Sequence, residues 1–173
     1  IYMNYYFRCI MNKKYCILAG GCFWCIARPF YELNGVLTVL SGYSGGTKID
    51  PTYEEVKSQT TGHYEVIKIE YDSDIIGYEE ILKVYLENID PFDDGGQFID
   101  RGSSYQLAVF YQDEIMKNTA ENVIKNMFNK PTAIKLVQEK EFYLAEEFHQ
   151  DYAIKNPEEI EKEFIISGRN NKK

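Results

Sequence analysis

The sequence has no long apolar run, no cluster of basic residues and few cysteines. No stretch of about 20 consecutive apolar residues occurs, which excludes a membrane-spanning helix. Lys and Arg number 19 against 27 Asp and Glu, a net charge of −8. That balance argues against nucleic acid as the main partner, because such binding needs a basic face. Four cysteines in 173 residues are too few for the disulfide scaffold of a secreted protein and suit a reducing compartment. Internal repeats and low-complexity linkers are also missing, so nothing divides the chain.

What is present is the composition of an ordinary globular protein, 45% hydrophobic and 27% charged. A chain of this size buries roughly 70% of its unfolded surface and needs no metal or disulfide staple. One domain is expected over residues 11–166. Residues 1–10 are apolar but short, with Arg8 inside them, and make a poor signal peptide. They are expected to be an extension or non-native residues ahead of a start at Met11. Ser167 to Lys173 reads as a polar, frayed tail, and a cytoplasmic location follows as the simplest expectation.

Tyr15 to Ala19 is a short apolar run closed by Gly20-Gly21, as in a buried strand. A helix is expected from Phe23 to Leu33, with Pro29 confined to an early turn or a kink and Asn34-Gly35 as its stop. Val36 to Tyr43 is rich in β-branched and aromatic residues. Tyr64 to Tyr71 alternates, with Val66, Lys68 and Glu70 on one side and Ile67, Ile69 and Tyr71 on the other. Tyr78 to Asn88 and Asp113 to Phe128 are amphipathic helices. Strands are expected at Tyr105 to Tyr111 and Lys135 to Val137, followed by an irregular aromatic, acidic segment. The order strand, helix, strand, strand, helix, strand predicts an α+β fold, a two-layer sandwich with a ferredoxin-like split βαβ core.

The segment Gly20-Gly21-Cys22-Phe23-Trp24-Cys25 carries the chemistry. A cysteine at a helix N-terminus would have its thiolate favoured by the amides and dipole there. The glycines would let the backbone approach a substrate, and Cys25 follows at a spacing that permits a disulfide. The bland reading is two buried cysteines beside a core Phe and Trp. A zinc site needs two further ligands, and Cys9, Cys16, His63 and His149 show no second pair at the required spacing.

With its flanks, Gly21-Cys22-Phe23-Trp24 resembles the active-site motif of the A-type peptide methionine sulfoxide reductases. Further segments fall in the family's order: Ser41 to Gly46, Pro51-Thr52-Tyr53, Thr61 to Glu65, Asp100 to Tyr105, and His149 to Tyr152 before Lys155-Asn156-Pro157. The resemblance runs from about Tyr15 to Pro157. It implies Cys22 as the nucleophile that becomes a sulfenic acid, and Glu65 as the acid that protonates the departing oxygen. To donate at neutral pH, Glu65 must have its pKa raised by burial. The resemblance also implies that Tyr53 and Tyr105 hold the oxygen, and that Asp100 positions water and Cys22. Phe23 and Trp24 would cage the substrate methyl group. His63 shares strand spacing with Glu65 but is assigned an orienting or structural role, and His149 likewise. The implied substrate is methionine S-sulfoxide, free or in proteins, with no cofactor.

No cysteine follows Cys25, so a relay through the C-terminal tail, which many members use, is absent here. Cys25, Cys16, Cys9 or an external thiol (thioredoxin, glutaredoxin or glutathione) remain as the group that reduces Cys22 again, with Cys25 preferred. A thioredoxin-like disulfide oxidoreductase and an acidic binding module are the competing readings.

Overall fold

The computed structural model describes residues 12–169. Residues 1–10, Cys9 among them, lie outside the described residues. Strand β1 (Lys13–Gly20) leads to a short helix α1 (Phe23–Ala27), then β2 (Val36–Ser44), α2 (Tyr53–Lys57) and β3 (Tyr64–Asp72). Helix α3 (Tyr78–Glu87) follows, then a two-stranded ribbon of β4 (Gly96–Gln97) and β5 (Asp100–Arg101). Next come β6 (Leu107–Tyr111), α4 (Glu114–Met127), β7 (Lys135–Gln138) and β8 (Tyr143–Leu144), and helices α5 (Tyr152–Lys155) and α6 (Pro157–Ser167) end the fold.

Six strands form one mixed sheet in the order β7-β6-β1-β3-β2-β8. Its centre, β6-β1-β3-β2, is wholly antiparallel and is the split βαβ arrangement expected from the order of elements. Strand β7 adds parallel to β6 after the α4 crossover, and β8 pairs antiparallel with the end of β2.

Alternation along β3 decides what each face carries. Ile67, Ile69 and Tyr71 join Leu18, Phe23, Phe30, Ile81, Leu82 and Tyr85 in the main core, under the helices. Val66 points to the opposite face, with Ile17, Ala19, Ala108 and Phe110. Glu65 has the parity of Ile67 and Ile69, so strand geometry delivers a carboxylate to the helix-covered side.

Three expectations need correction. The helix expected to reach Leu33 ends as α-helix at Ala27. A 3₁₀ turn, Arg28–Phe30, takes over because Pro29 cannot donate to the ladder. The strand expected from Tyr105 starts at Leu107, and Tyr105 instead closes a 3₁₀ turn after Gly102. The C-terminal segment is not irregular to its end. Pro157 at the first turn, Glu158 and Glu159 behind it and left-handed Gly168 at the stop make α6 an ordinary helix. Arg169, just beyond α6, is buried.

One side chain ties this C-terminal region to the sheet. Gln150 Oε1 accepts from the Ser41 amide at 2.9 Å, and Nε2 donates to the carbonyls of Ser41 and Ala145, each at 2.9 Å. The amide thus imitates a strand residue on the open side of β2. Gln150→Ala should strand the Ser41 amide in a buried position and cost about 2–4 kcal/mol, read as a fall in the urea midpoint. A loss below about 0.5 kcal/mol would show that these bonds carry no stability.

Candidate active site

Strand β1 feeds directly into the site. Its last residue, Gly20, packs on Ile26, and a Cβ there would come within 2.7 Å of the Ile26 side chain. Gly21 has φ +82°, and a Cβ on it would meet Gln97 Cβ at 2.6 Å. Both glycines therefore serve the chain's own tight turn and packing, rather than a substrate's approach. The turn sets Cys22 at the cap of α1, where its carbonyl accepts from the amides of Cys25 and Ile26, each at 3.1 Å.

Expected site residues from five parts of the chain meet in one cavity of about 310 Å³. Cys22, Phe23 and Trp24 come from the β1–α1 junction, Tyr53 from α2 and Glu65 from β3. Asp100 and Tyr105 come from β5 and the 3₁₀ turn beyond it. Ile99 and Glu163, which the sequence did not single out, complete the lining.

Glu65 is the most constrained of these groups. It is only 2% exposed, and its Oε2 accepts from the Phe23 amide at 3.1 Å. Burial pushes its pKa up to about 8, aided by the charge of Asp100 and opposed by hydrogen bonds from Phe23 and Tyr105. Burial and Glu163 likewise lift Asp100 to about 6, while Arg169, 3.8 Å away, works against them. Tyr53 is raised to about 12, mainly by burial. Burial also raises Tyr105, so both phenols are proton donors at neutral pH.

The expected low-pKa thiolate is absent from this resting arrangement. A hydrogen bond with Cys25, burial and the charges of Glu65 and Glu163 all raise the Cys22 thiol. The first amide of α1, which could have favoured a thiolate, is occupied by Glu65. Cys25 does not point away from Cys22. The sulfurs of Cys22 and Cys25 and a Glu163 carboxylate oxygen all lie within 4.8 Å of one another, and Cys25 Sγ donates to Glu163 Oε1 at 3.1 Å. Among the described residues, this trio is the set whose donor atoms could share a cation. It is one ligand short of a closed tetrahedral set. Cys16 is buried in β1 within the main core, away from the cavity lining.

The aromatic wall is held from the C-terminal side. Trp24 stacks on Tyr152 with centroids 3.8 Å apart, and its indole N–H donates to His149 Nδ1 at 3.2 Å. That bond assigns the His149 proton to Nε2, and burial keeps the ring neutral. Phe23 lies between Tyr43 and His149 in the core. Glu146 takes the Tyr43 hydroxyl and the Tyr53 amide, each at 2.8 Å, and so fixes the start of α2. His63 stays outside the cavity lining. It accepts from the Gly46 amide at 3.1 Å and faces the Lys48 carbonyl at 2.7 Å, which ties down that loop.

A model of the family "Peptide methionine sulfoxide reductase" matches residues 14–173. The chain belongs to the peptide methionine sulfoxide reductases. It is 46% identical over 163 residues to peptide methionine sulfoxide reductase MsrA of Bacillus licheniformis, covering 91% of this chain and 90% of that one. Methionine sulfoxide reductase A of Corynebacterium diphtheriae has the same fold at TM-score 0.79 and 25% identity, covering 84% of this chain and 76% of that one. Mxr1 from Saccharomyces cerevisiae in reduced form matches at TM-score 0.77 and 25% identity, with 84% and 86% covered. Mxr1 in complex with Trx2 matches at TM-score 0.51 and 16% identity, with 76% and 79% covered. In a reductase of this family, a carboxyl that keeps its proton near neutral pH beside a cysteine has a clear use.

That carboxyl also leaves a mark on stability. Below pH 4.5 Glu65 is protonated in both folded and unfolded chains. Between 4.5 and about 8 the unfolded chain loses the proton while the folded one keeps it. Stability due to Glu65 therefore falls by about 1.4 kcal/mol per pH unit through that window. Glu65→Gln should remove this slope, so the variant gains on the parent as pH rises from 5 to 8 in paired urea titrations. Parallel stability curves would mean that Glu65 is not held protonated.

Proposed function

We propose that this reductase acts in the cytoplasm on the S epimer of methionine sulfoxide, free or in proteins, with Cys22 as nucleophile and Glu65 as acid. The supporting observation is the single cavity that holds a cysteine, a protonated carboxyl, two phenols and an aromatic wall. A sulfoxide needs all four. The methyl group lies against Phe23 and Trp24, and the oxygen takes hydrogen bonds from Tyr53 and Tyr105. Asp100 orients water and Cys22 from the cavity rim.

Glu65 gives its proton to the sulfoxide oxygen as Cys22 Sγ attacks the substrate sulfur, and the Cys22 thiol proton replaces the one that Glu65 gave. The oxygen passes to Cys22 Sγ, so the substrate S–O bond and the S–S bond formed in the attack both break, and Cys22 is left as a sulfenic acid. Methionine leaves as the thioether. Sulfur in the substrate gains two electrons and Cys22 loses them. The raised thiol pKa fits this order, because Cys22 ionises only as the proton transfer that compensates it takes place.

Cys25 then closes a disulfide on Cys22 with release of water. The proximity of the two sulfurs supports it over Cys16, which sits within the core. Thioredoxin is the favoured reductant of that disulfide, an assignment that the yeast Mxr1–Trx2 complex supports, with glutaredoxin or glutathione as alternatives. The disulfide oxidoreductase reading gives no work to Glu65, Tyr53 or Tyr105.

Mixing pre-reduced enzyme with separated epimers and no reductant should yield one methionine per chain from the S epimer. Cys22→Ser should yield none, and Glu65→Gln should slow the burst by about a hundredfold or more. The parent's burst rate should decline above pH 8 as Glu65 ionises. Activity in the Cys22 variant, or equal bursts from both epimers, would overturn the assignment.

A further inference from the structure

We infer that Glu163 is the base for the second half of the cycle, accepting the proton of Cys25 as that thiol attacks the Cys22 sulfenic acid. The inference rests on the proposal that Cys25 is the resolving cysteine.

The first support is contact. The Cys25 thiol donates to Glu163 Oε1 at 3.1 Å, within reach for direct proton transfer. The second is proximity, since Cys22 Sγ lies within 4.8 Å of both Cys25 Sγ and the Glu163 oxygen. Cys22 and Cys25 sit three residues apart at the start of α1, a separation a disulfide can bridge. The third is division of labour. Glu65 keeps its proton near neutral pH and is engaged with the Phe23 amide, so it cannot also serve as the resting base. Asp100 faces Arg169 rather than Cys25.

A buried thiol needs such help. An ordinary cysteine, with a pKa near 8.5, is only a few per cent thiolate at pH 7. Cys25 is 1% exposed, so bulk hydroxide and buffer bases do not reach it.

The step balances. The Cys25 S–H bond breaks and its proton goes to the Glu163 carboxylate. The Cys25 sulfur attacks Cys22 sulfur, the S–S bond forms and the Cys22 S–O bond breaks. The departing hydroxide takes the proton of Glu65 and leaves as water, and solvent returns the proton on Glu163 to Glu65. Cys22 sulfur is reduced from the sulfenic to the disulfide level, and Cys25 is oxidised to match. Once the thiol proton has gone, the bond that holds Cys25 to α6 is gone too.

The test is a rapid-quench series on pre-reduced enzyme with one equivalent of methionine S-sulfoxide. Released methionine reports the first step, and the Cys22–Cys25 disulfide, mapped by mass spectrometry, reports the second. In Glu163→Gln the disulfide should form at least tenfold more slowly at pH 7, so that sulfenic acid, trapped with dimedone, accumulates after methionine is released. Its closing rate should climb with pH through the ordinary thiol range, where the parent's is flat. Glu163→Asp should recover at least a third of the lost rate, which a defect in folding would not allow. A Glu163→Gln enzyme that closes the disulfide at the parent rate and with the parent pH profile overturns the assignment of Glu163 alone. A parent enzyme that forms no Cys22–Cys25 disulfide overturns the choice of Cys25, and the role of Glu163 with it.

Discussion

The hydrogen bond from the Phe23 amide to Glu65 holds the site together. It joins the start of α1 to β3 across 42 residues of sequence, and it settles which group receives the help of the helix N-terminus. Those first amides have no partner within a helix and favour an anion. Here the carboxyl takes one of them, and the cysteine beside it does not. Even so, burial outweighs that bond and leaves Glu65 protonated near neutral pH. In the proposed mechanism the cavity thus starts its cycle with the proton already on the group that delivers it.

A site arranged in this way concentrates acids. Glu65, Asp100 and Glu163 line one small cavity with Cys22, and like charges so placed cannot all ionise without cost. Arg169 is the nearest counter-charge, 3.8 Å from Asp100 and stacked over Phe98. It comes from the far end of the described chain. The C-terminal helix therefore brings a carboxylate to Cys25 and, just beyond it, the cation that moderates the cluster.

Much of this was legible before any coordinates. Alternation in β3 put Glu65 on the same face as Ile67 and Ile69, and the glycine pair before Cys22 marked the turn. The split βαβ core followed from the order of elements. Two of the corrected readings show the physical reasons. A thiolate at a helix N-terminus assumes a free amide, and no sequence pattern shows that Glu65, 42 residues on, occupies it. The stretch after Pro157 carries no assigned element in the sequence reading, its four apolar residues being matched by four acidic ones. Yet Pro at the first turn, acids behind it and Gly at the stop were all present as helix signals. What no local signal carries is that this helix docks over Cys25. That depends on Gln150 holding the preceding segment against β2.

Handedness at the substrate sulfur requires three separately anchored positions. Cys22 is fixed by the turn at Gly21, and the methyl wall by Trp24, clamped between Tyr152 and His149. The proposed oxygen site lies at Tyr53 and Tyr105, on two further elements. Glu146 connects two of these, since it binds the Tyr53 amide while the segment it belongs to carries His149. A displacement of that segment would move the proposed methyl wall and oxygen site together, and would leave Cys22 at the cap of α1 and Glu65 in β3. In the proposed mechanism, selectivity between epimers therefore rests on residues 145–152 and proton delivery on β3. The two properties are mechanically separable in this fold.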